Sequence, residues 1–218
     1  MFLRNSFAAP LAAFVFAIAA VPASAQVGTG AIKGLLGQAS DQALDALSRP
    51  GAFSADQAIR IALPGVGSSK GVSDLMGLAS KAGLTGDITG SLNRAAEQAA
   101  AQAKPIFRAA IDKATLTDAM GALKGDTGAT DYLKNSTGTE IKAQLQPLVR
   151  AALQSSGVLQ QTSQLSALGM TDAKLTDYVA DKTADGIFTY VGREETRMRQ
   201  NPLETGKNLL QGIKGLKF

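Results

Sequence analysis

Three carboxylates, Asp177, Asp181 and Asp185, stand four residues apart and are the first side chains whose type and spacing suggest chemistry. On a helix they share one face, where like charges repel by roughly 0.2–0.5 kcal/mol per pair. A divalent cation, basic side chains of a neighbouring helix or plain water would each relieve that repulsion. Calcium takes about six to eight oxygens, usually from an irregular loop, so one regular helix face offers too few. Pairing with solvent or arginine is therefore expected, and no metal.

A second cluster lies in Asn93-Arg94-Ala95-Ala96-Glu97, where Asn93 and Glu97 fall on one face of an alanine-rich helix with Arg94 beside them. Such a group has three readings: it faces water, it forms a buried network that sets helix register, or it binds a ligand. The run Arg193-Glu194-Glu195-Thr196-Arg197-Met198-Arg199 has the composition of an anion-binding patch. Its spacing pairs Glu195 with Arg199 at i, i+4 and Glu194 with Arg197 at i, i+3, the pattern of an exposed, salt-bridged helix. Residues 64–71, PGVGSSKG, follow an extended stretch and precede a helix, the setting of a phosphate-cradling loop. The Walker spacing fails and Lys70 displaces the third glycine of the dinucleotide fingerprint, so a plain turn is expected.

Much catalytic chemistry is excluded by composition. The chain has no Cys and no His, hence no thiol nucleophile, disulfide, imidazole base or thiolate metal site. Serine–lysine and paired-carboxylate chemistry remain open to distant residues brought together by folding, but no G-x-S-x-G or S-x-x-K motif announces either. No cofactor is implied. The net charge of +4 comes from signs interspersed along the chain, without a basic block, which argues against a nucleic-acid surface.

These side chains must be positioned by helices, because the sequence is dominated by three-four spacing punctuated by Gly, Pro, Thr and Asp. Ile32, Leu35, Leu36, Ala39, Ala43 and Leu47 form one helical stripe that Arg49-Pro50-Gly51 ends. Residues 58–64 alternate large apolar side chains and predict a short extended segment lying across the helices, since an isolated strand needs a partner. A stripe of Val72, Leu75, Met76 and Ala79 predicts a helix closed by Gly83, and an alanine-rich helix spans 88–104, with Pro105 kinking or restarting it. Thr117 is read as the cap of a short helix ended by Gly125, and Thr127 as the cap of one holding Tyr132 and Leu133. Thr137-Gly138-Thr139-Glu140 has the capping-box form and predicts a fresh helix through Leu145, Val149 and Leu153, bent at Pro147. The last long helix is expected over 176–200, with a short one over 203–213 after Asn201-Pro202. The fold class is all-α: a single-domain helical bundle with a short extended segment near residues 58–64.

Residues 1–25 read as an export signal. Arg4 precedes the apolar stretch 7–21, and Ala23-Ser24-Ala25 supplies the small-x-small cleavage pattern, leaving residues 26–218 as one helical domain. The apolar stretch falls short of the ~20 residues of a spanning helix, and no later segment is apolar enough to span. The mature protein is expected to be periplasmic or secreted, with no transmembrane segment after cleavage.

The chain as a whole resembles a family of exported bacterial proteins known only as domain of unknown function 4197. The likeness rests on Ile59-Arg60-Ile61-Ala62-Leu63-Pro64, Leu92-Asn93-Arg94-Ala95-Ala96-Glu97, Leu116-Thr117-Asp118-Ala119 and Gly128-Ala129-Thr130-Asp131-Tyr132-Leu133. Leu145-Gln146-Pro147-Leu148-Val149, Asp177-Tyr178-Val179, Asp185-Gly186-Ile187-Phe188, the region 195–199, Asn201-Pro202 and Leu209-Leu210 continue it in order. The resemblance implies an all-helical envelope protein and carries no activity with it. The leading functional expectation is a non-enzymatic binding or interaction module of the cell envelope whose helices enclose a groove lined by small residues. Its partner would be a small apolar ligand or an envelope protein. The candidate binding residues are Asn93, Arg94, Glu97, Asp118, Tyr132 and Asp177, polar groups on helices otherwise facing a core. The rivals are a hydrolase of an envelope polymer acting through a carboxylate pair, and a structural homo-oligomer.

Overall fold

A computed structural model describes residues 23–62, 88–115, 124–161 and 171–201. In chain order the helices are α1 (Ala23–Leu47), α2 (Ala52–Ala55), α3 (Ile88–Gln102), α4 (Lys104–Lys113), α5 (Gly128–Ser155) and α6 (Asp172–Gln200), with a 3₁₀ turn at Leu159–Gln161. No strand occurs among the described residues, and the protein is all-α. Residues 1–22 of the expected leader (1–25), the turn at 64–71, the helix after Ser69, Asp118 with its short helix, and the helix over 203–213 lie outside the described residues.

α6 is the axis of the bundle, with α5 and α1 making the most extensive contacts against it. Its buried residues Ala180, Ala184, Ile187, Val191 and Met198 recur at the period of one helical face. The helix begins before Thr176 because Thr171 supplies the cap: its hydroxyl oxygen accepts the Lys174 N–H at 3.3 Å. α1 buries Ile32, Leu36, Ala39, Ala43 and Leu47, as its stripe predicts. α3 ends at Gln102 and α4 restarts at Lys104 with Pro105 in its first turn, where a missing N–H costs nothing. Ala95, Ala96, Ala99 and Ala100 are all buried, so α3 approaches its neighbours through methyl groups and leaves the large anchors to other helices. Phe107 and Phe188 meet in the core with ring centroids 5.5 Å apart and tilted by 57°.

One expectation is corrected. α5 is one continuous helix from Gly128 to Ser155 and does not restart at Thr137. The Thr137 hydroxyl donates to the Leu133 carbonyl at 2.8 Å, and Ser136 does the same to Tyr132 at 2.8 Å, so these side chains bond back along their own helix and cap nothing. The described part of 58–64 is a turn leading into irregular backbone that lies across the helices without a strand partner, as expected. Its alternation is real: Ile59 and Ile61 are buried, while Ala58, Arg60 and Ala62 face outward.

The approach of residues 53–59 to α6 depends on Gly186. A Cβ there would stand 2.7 Å from Phe53 Cε1 and 3.3 Å from its Cζ, and the Phe53 ring is fully buried with no free direction to move. Gly186→Ala should destabilise the protein by about 1–2 kcal/mol in chemical unfolding despite the gain in helix propensity. Gly37→Ala in α1, where a Cβ meets nothing within 4 Å, should instead stabilise it by about 0.5–1 kcal/mol.

Candidate functional site

Residues 53–62 cross the bundle as a strap held by side chains from two helices. Asn93 on α3 stands in for the missing strand partner: its Oδ1 accepts the Ile61 N–H at 2.9 Å and its Nδ2 donates to the Ile61 carbonyl at 2.8 Å. One turn on, Glu97 Oε1 accepts the Phe53 N–H at 3.2 Å. Both side chains are buried, so of the three readings of this cluster the geometry presents the buried network. From α6, the Tyr178 hydroxyl donates to the Ala62 carbonyl at 2.7 Å, and Tyr190 donates to Asp56 Oδ2 at 3.0 Å. Arg193 also pairs with Asp56. Hydrogen bonds from Arg193 and from the Ala58 N–H hold the Asp56 carboxyl down to about 2. Burial, reinforced by the Asp56 charge, pushes the Tyr190 phenol up.

Glu195 is the second correction to the charge pattern. It is fully buried and does far more than pair with Arg199 on an exposed face. Its carboxylate accepts the N–H groups of Ala129 at 3.1 Å and Thr130 at 2.8 Å and the Thr130 hydroxyl at 2.6 Å, so α6 caps the N-terminus of α5. Thr127, the residue expected to cap α5, donates its hydroxyl to Asp131 instead. Arg199 donates to the same carboxylate at 2.9 Å through Nε. Glu194 and Arg197 form the expected exposed pair at 2.6 Å.

Among the described residues, three grooves flank α6. The first, about 320 Å³, lies against the start of α5 and is lined by Thr127, Thr130, Lys134, Phe188, Gly192 and Arg193 among others. The second, about 300 Å³, continues along α5 past Lys134, Gly138, Lys142, Asp181 and Asp185. The third, about 340 Å³, opens between α6 and the strap and is lined by Ile59, Arg60, Tyr178, Lys182, Gly186 and Thr189 with their neighbours. Lysines of α5, not arginines, neutralise the aspartate row: Lys142 reaches Asp177 and Asp181 at 3.1 Å each, and Lys134 reaches Asp185 at 2.9 Å. The Lys142 ammonium holds the Asp177 carboxyl below its usual range. No group of three or more metal-ligating side chains clusters among the described residues.

The five described candidate residues do not converge on one cavity, and Asp118 lies outside the described residues. Asn93 and Glu97 meet under the strap, while Arg94 is exposed and donates to Ser91 Oγ at 2.8 Å. Tyr132 is half-buried and donates to the Thr115 carbonyl at 2.6 Å, and Asp177 is exposed beside Lys142 and Gln146. Of the groove-lining residues, the sequence marked Asp181 and Asp185 in the aspartate row and Arg193 in the charged run, but it did not mark Arg60, Lys134, Tyr178, Lys182 or Thr189 as site candidates. The one signal for them was the 58–62 alternation, which turns Arg60 outward.

Removing the strap's surrogate partner with Asn93→Ala leaves the buried Ile61 N–H and carbonyl without acceptor or donor and should cost about 2–3 kcal/mol of unfolding free energy. Glu195→Ala should cost about 3 kcal/mol or more, since it uncaps α5 and removes the carboxylate to which Arg199 donates, whereas Glu194→Ala beside it should stay within about 0.5 kcal/mol. Asp56 titrates at about 2 in the folded chain against 3.8 unfolded, so its contribution is fully present above pH 3.8 and is lost as pH falls through 2. Asp56→Asn should therefore lower stability at neutral pH and flatten its fall on acidification, the two unfolding curves converging near the lower value.

No curated protein and no solved structure matches this chain. A family model described as a protein of unknown function, DUF4197, matches residues 23–215, which takes in every helix and groove above. The chain therefore belongs to the DUF4197 family.

Proposed function

We propose that this protein is a non-enzymatic binding or interaction module of the cell envelope, delivered by its leader to the periplasm or beyond. The observation that carries the reading is the set of three grooves along one helix, whose aspartate row is neutralised by lysines. A glycosidase-type hydrolase needs two carboxyl groups on opposite walls, roughly 5–10 Å apart, with one kept protonated by its surroundings. In the second groove both lining carboxylates, Asp181 and Asp185, project from the same helix, and in the first and third only one carboxylate lines the wall. Rigid walls favour recognition: the strap is pinned by Asn93, Glu97 and Tyr178, which lowers the ordering cost of binding. No described helix is long and apolar enough to cross a membrane.

Native mass spectrometry of the protein made with its own leader and recovered without denaturation tests this reading. The expected spectrum is a chain beginning at Gln26, recovered with the envelope fraction and carrying a discrete additional mass of ligand or partner. Retention of the leader in a cytoplasmic fraction would remove the export reading. A bare chain that turns over an envelope polymer would replace binding by hydrolysis, and a ladder of exact multiples would favour the structural homo-oligomer.

A further inference from the structure

We propose that the groove between the strap and α6 is a binding site for a small phosphomonoester carried on an apolar body. The inference deepens the binding-module reading and rests on it.

Charge accounting sets this groove apart from the other two. In the first and second grooves every lining cation meets a carboxylate: Lys134 meets Asp185, Lys142 meets Asp177 and Asp181, and Arg193 meets Asp56. In the third, Arg60 and Lys182 have no carboxylate partner among the described residues, and the one lining carboxylate, Asp185, is already held by Lys134. The Lys182 ammonium rests 5.9 Å from the centre of the Tyr178 ring, a contact that leaves its donors open. The lining hydroxyls have already placed their protons, Tyr178 on the Ala62 carbonyl and Thr189 on the Asp185 carbonyl. The side-chain hydrogen-bond donors left to a ligand are therefore two cations, which favours an anion.

Two uncompensated charges match a phosphomonoester, which carries about −1.5 to −2 near neutral pH. The guanidinium fork suits two phosphate oxygens at once, and the ammonium adds a mobile point charge. Arg60 is preset, because its own N–H is bonded to the Asp56 carbonyl at 2.8 Å and the next residue is clamped by Asn93. Beside the cations, Ala58, Ile59, Ala62 and Tyr178 supply an apolar wall for the rest of the ligand. A volume of about 340 Å³ admits one small molecule or a single lipid headgroup.

Calorimetric titration of the exported chain with phenyl phosphate, inorganic phosphate and benzyl alcohol separates anion from body. Phenyl phosphate should bind more tightly than either fragment. Arg60→Ala and Lys182→Ala should each weaken it about tenfold, the loss of one charge-assisted contact. Arg49→Ala, an exposed cation outside the groove, should leave binding unchanged. Arg60 and Lys182 are exposed, so these variants should keep the parent's helical circular dichroism and unfolding midpoint. Vesicles of phosphatidylcholine with and without phosphatidic acid distinguish the two sources: binding to phosphatidic acid alone, abolished by the double variant, identifies a lipid headgroup, and binding of phenyl phosphate a soluble ligand. No binding to any of these probes, or binding that survives Arg60→Ala/Lys182→Ala, overturns the site. A ligand mass retained by that double variant would overturn the phosphate site while leaving the binding module standing. Release of phenol from phenyl phosphate would instead overturn the non-enzymatic reading.

Discussion

A buried backbone N–H or carbonyl must be paired, and in this protein side chains of α3 and α6 meet that demand where no regular structure does. The pair of bonds between Asn93 and Ile61 is the clearest case, an amide side chain reproducing the two-bond exchange of adjacent strands. Glu97 does the same for Phe53, and Glu195 does it twice over for the first turn of α5. Because each of these side chains stands on one helix and serves another segment, the bonds fix relative position as well as satisfying polarity. The strap, the start of α5 and the axis helix are thereby set against one another, and the groove walls follow from that.

Small residues make the arrangement possible. Gly186 lets the Phe53 ring lie on α6, and a Cβ at Gly192 would stand 3.1 Å from Thr127 Cγ2, so the glycine brings the start of α5 within reach of Glu195. Alanine lines α3 for the same reason. Close approach has an electrostatic consequence: charged groups on facing helices come within pairing distance, and the aspartate row of α6 is answered by lysines of α5. Among the described residues, only where the facing segment is the strap, which offers Arg60, do two cations share a groove without a carboxylate partner.

Helix existence and facing were legible because burial imposes a three-four period, and the stripe of α1 fell inside as its spacing required. Helix boundaries were less so. Thr137-Gly138-Thr139-Glu140 meets the local pattern of a cap, yet within a long helix already held by Leu133, Ile141 and Leu145 in the core its hydroxyl bonds backward instead. The extended character of 58–62 was legible as alternation, but its partner, thirty-two residues away in sequence and a side chain at that, was not. Glu195 illustrates the same limit: a glutamate four residues before an arginine reads as a surface pair, because the acceptor's two backbone donors belong to another helix.

By itself the sequence determined the helical class, the faces that are buried, the break at Pro105 and the chemistries that a chain without Cys or His lacks. Those properties depend on local periodicity and on which atoms are present. Tertiary structure alone decided that Asn93, Glu97 and Glu195 act as backbone partners, which lysine answers which aspartate, and that Arg60 and Lys182 share a groove. Hydrogen bonds and ion pairs act over a few ångströms, and the distances between distant stretches of chain exist only once the helices have packed.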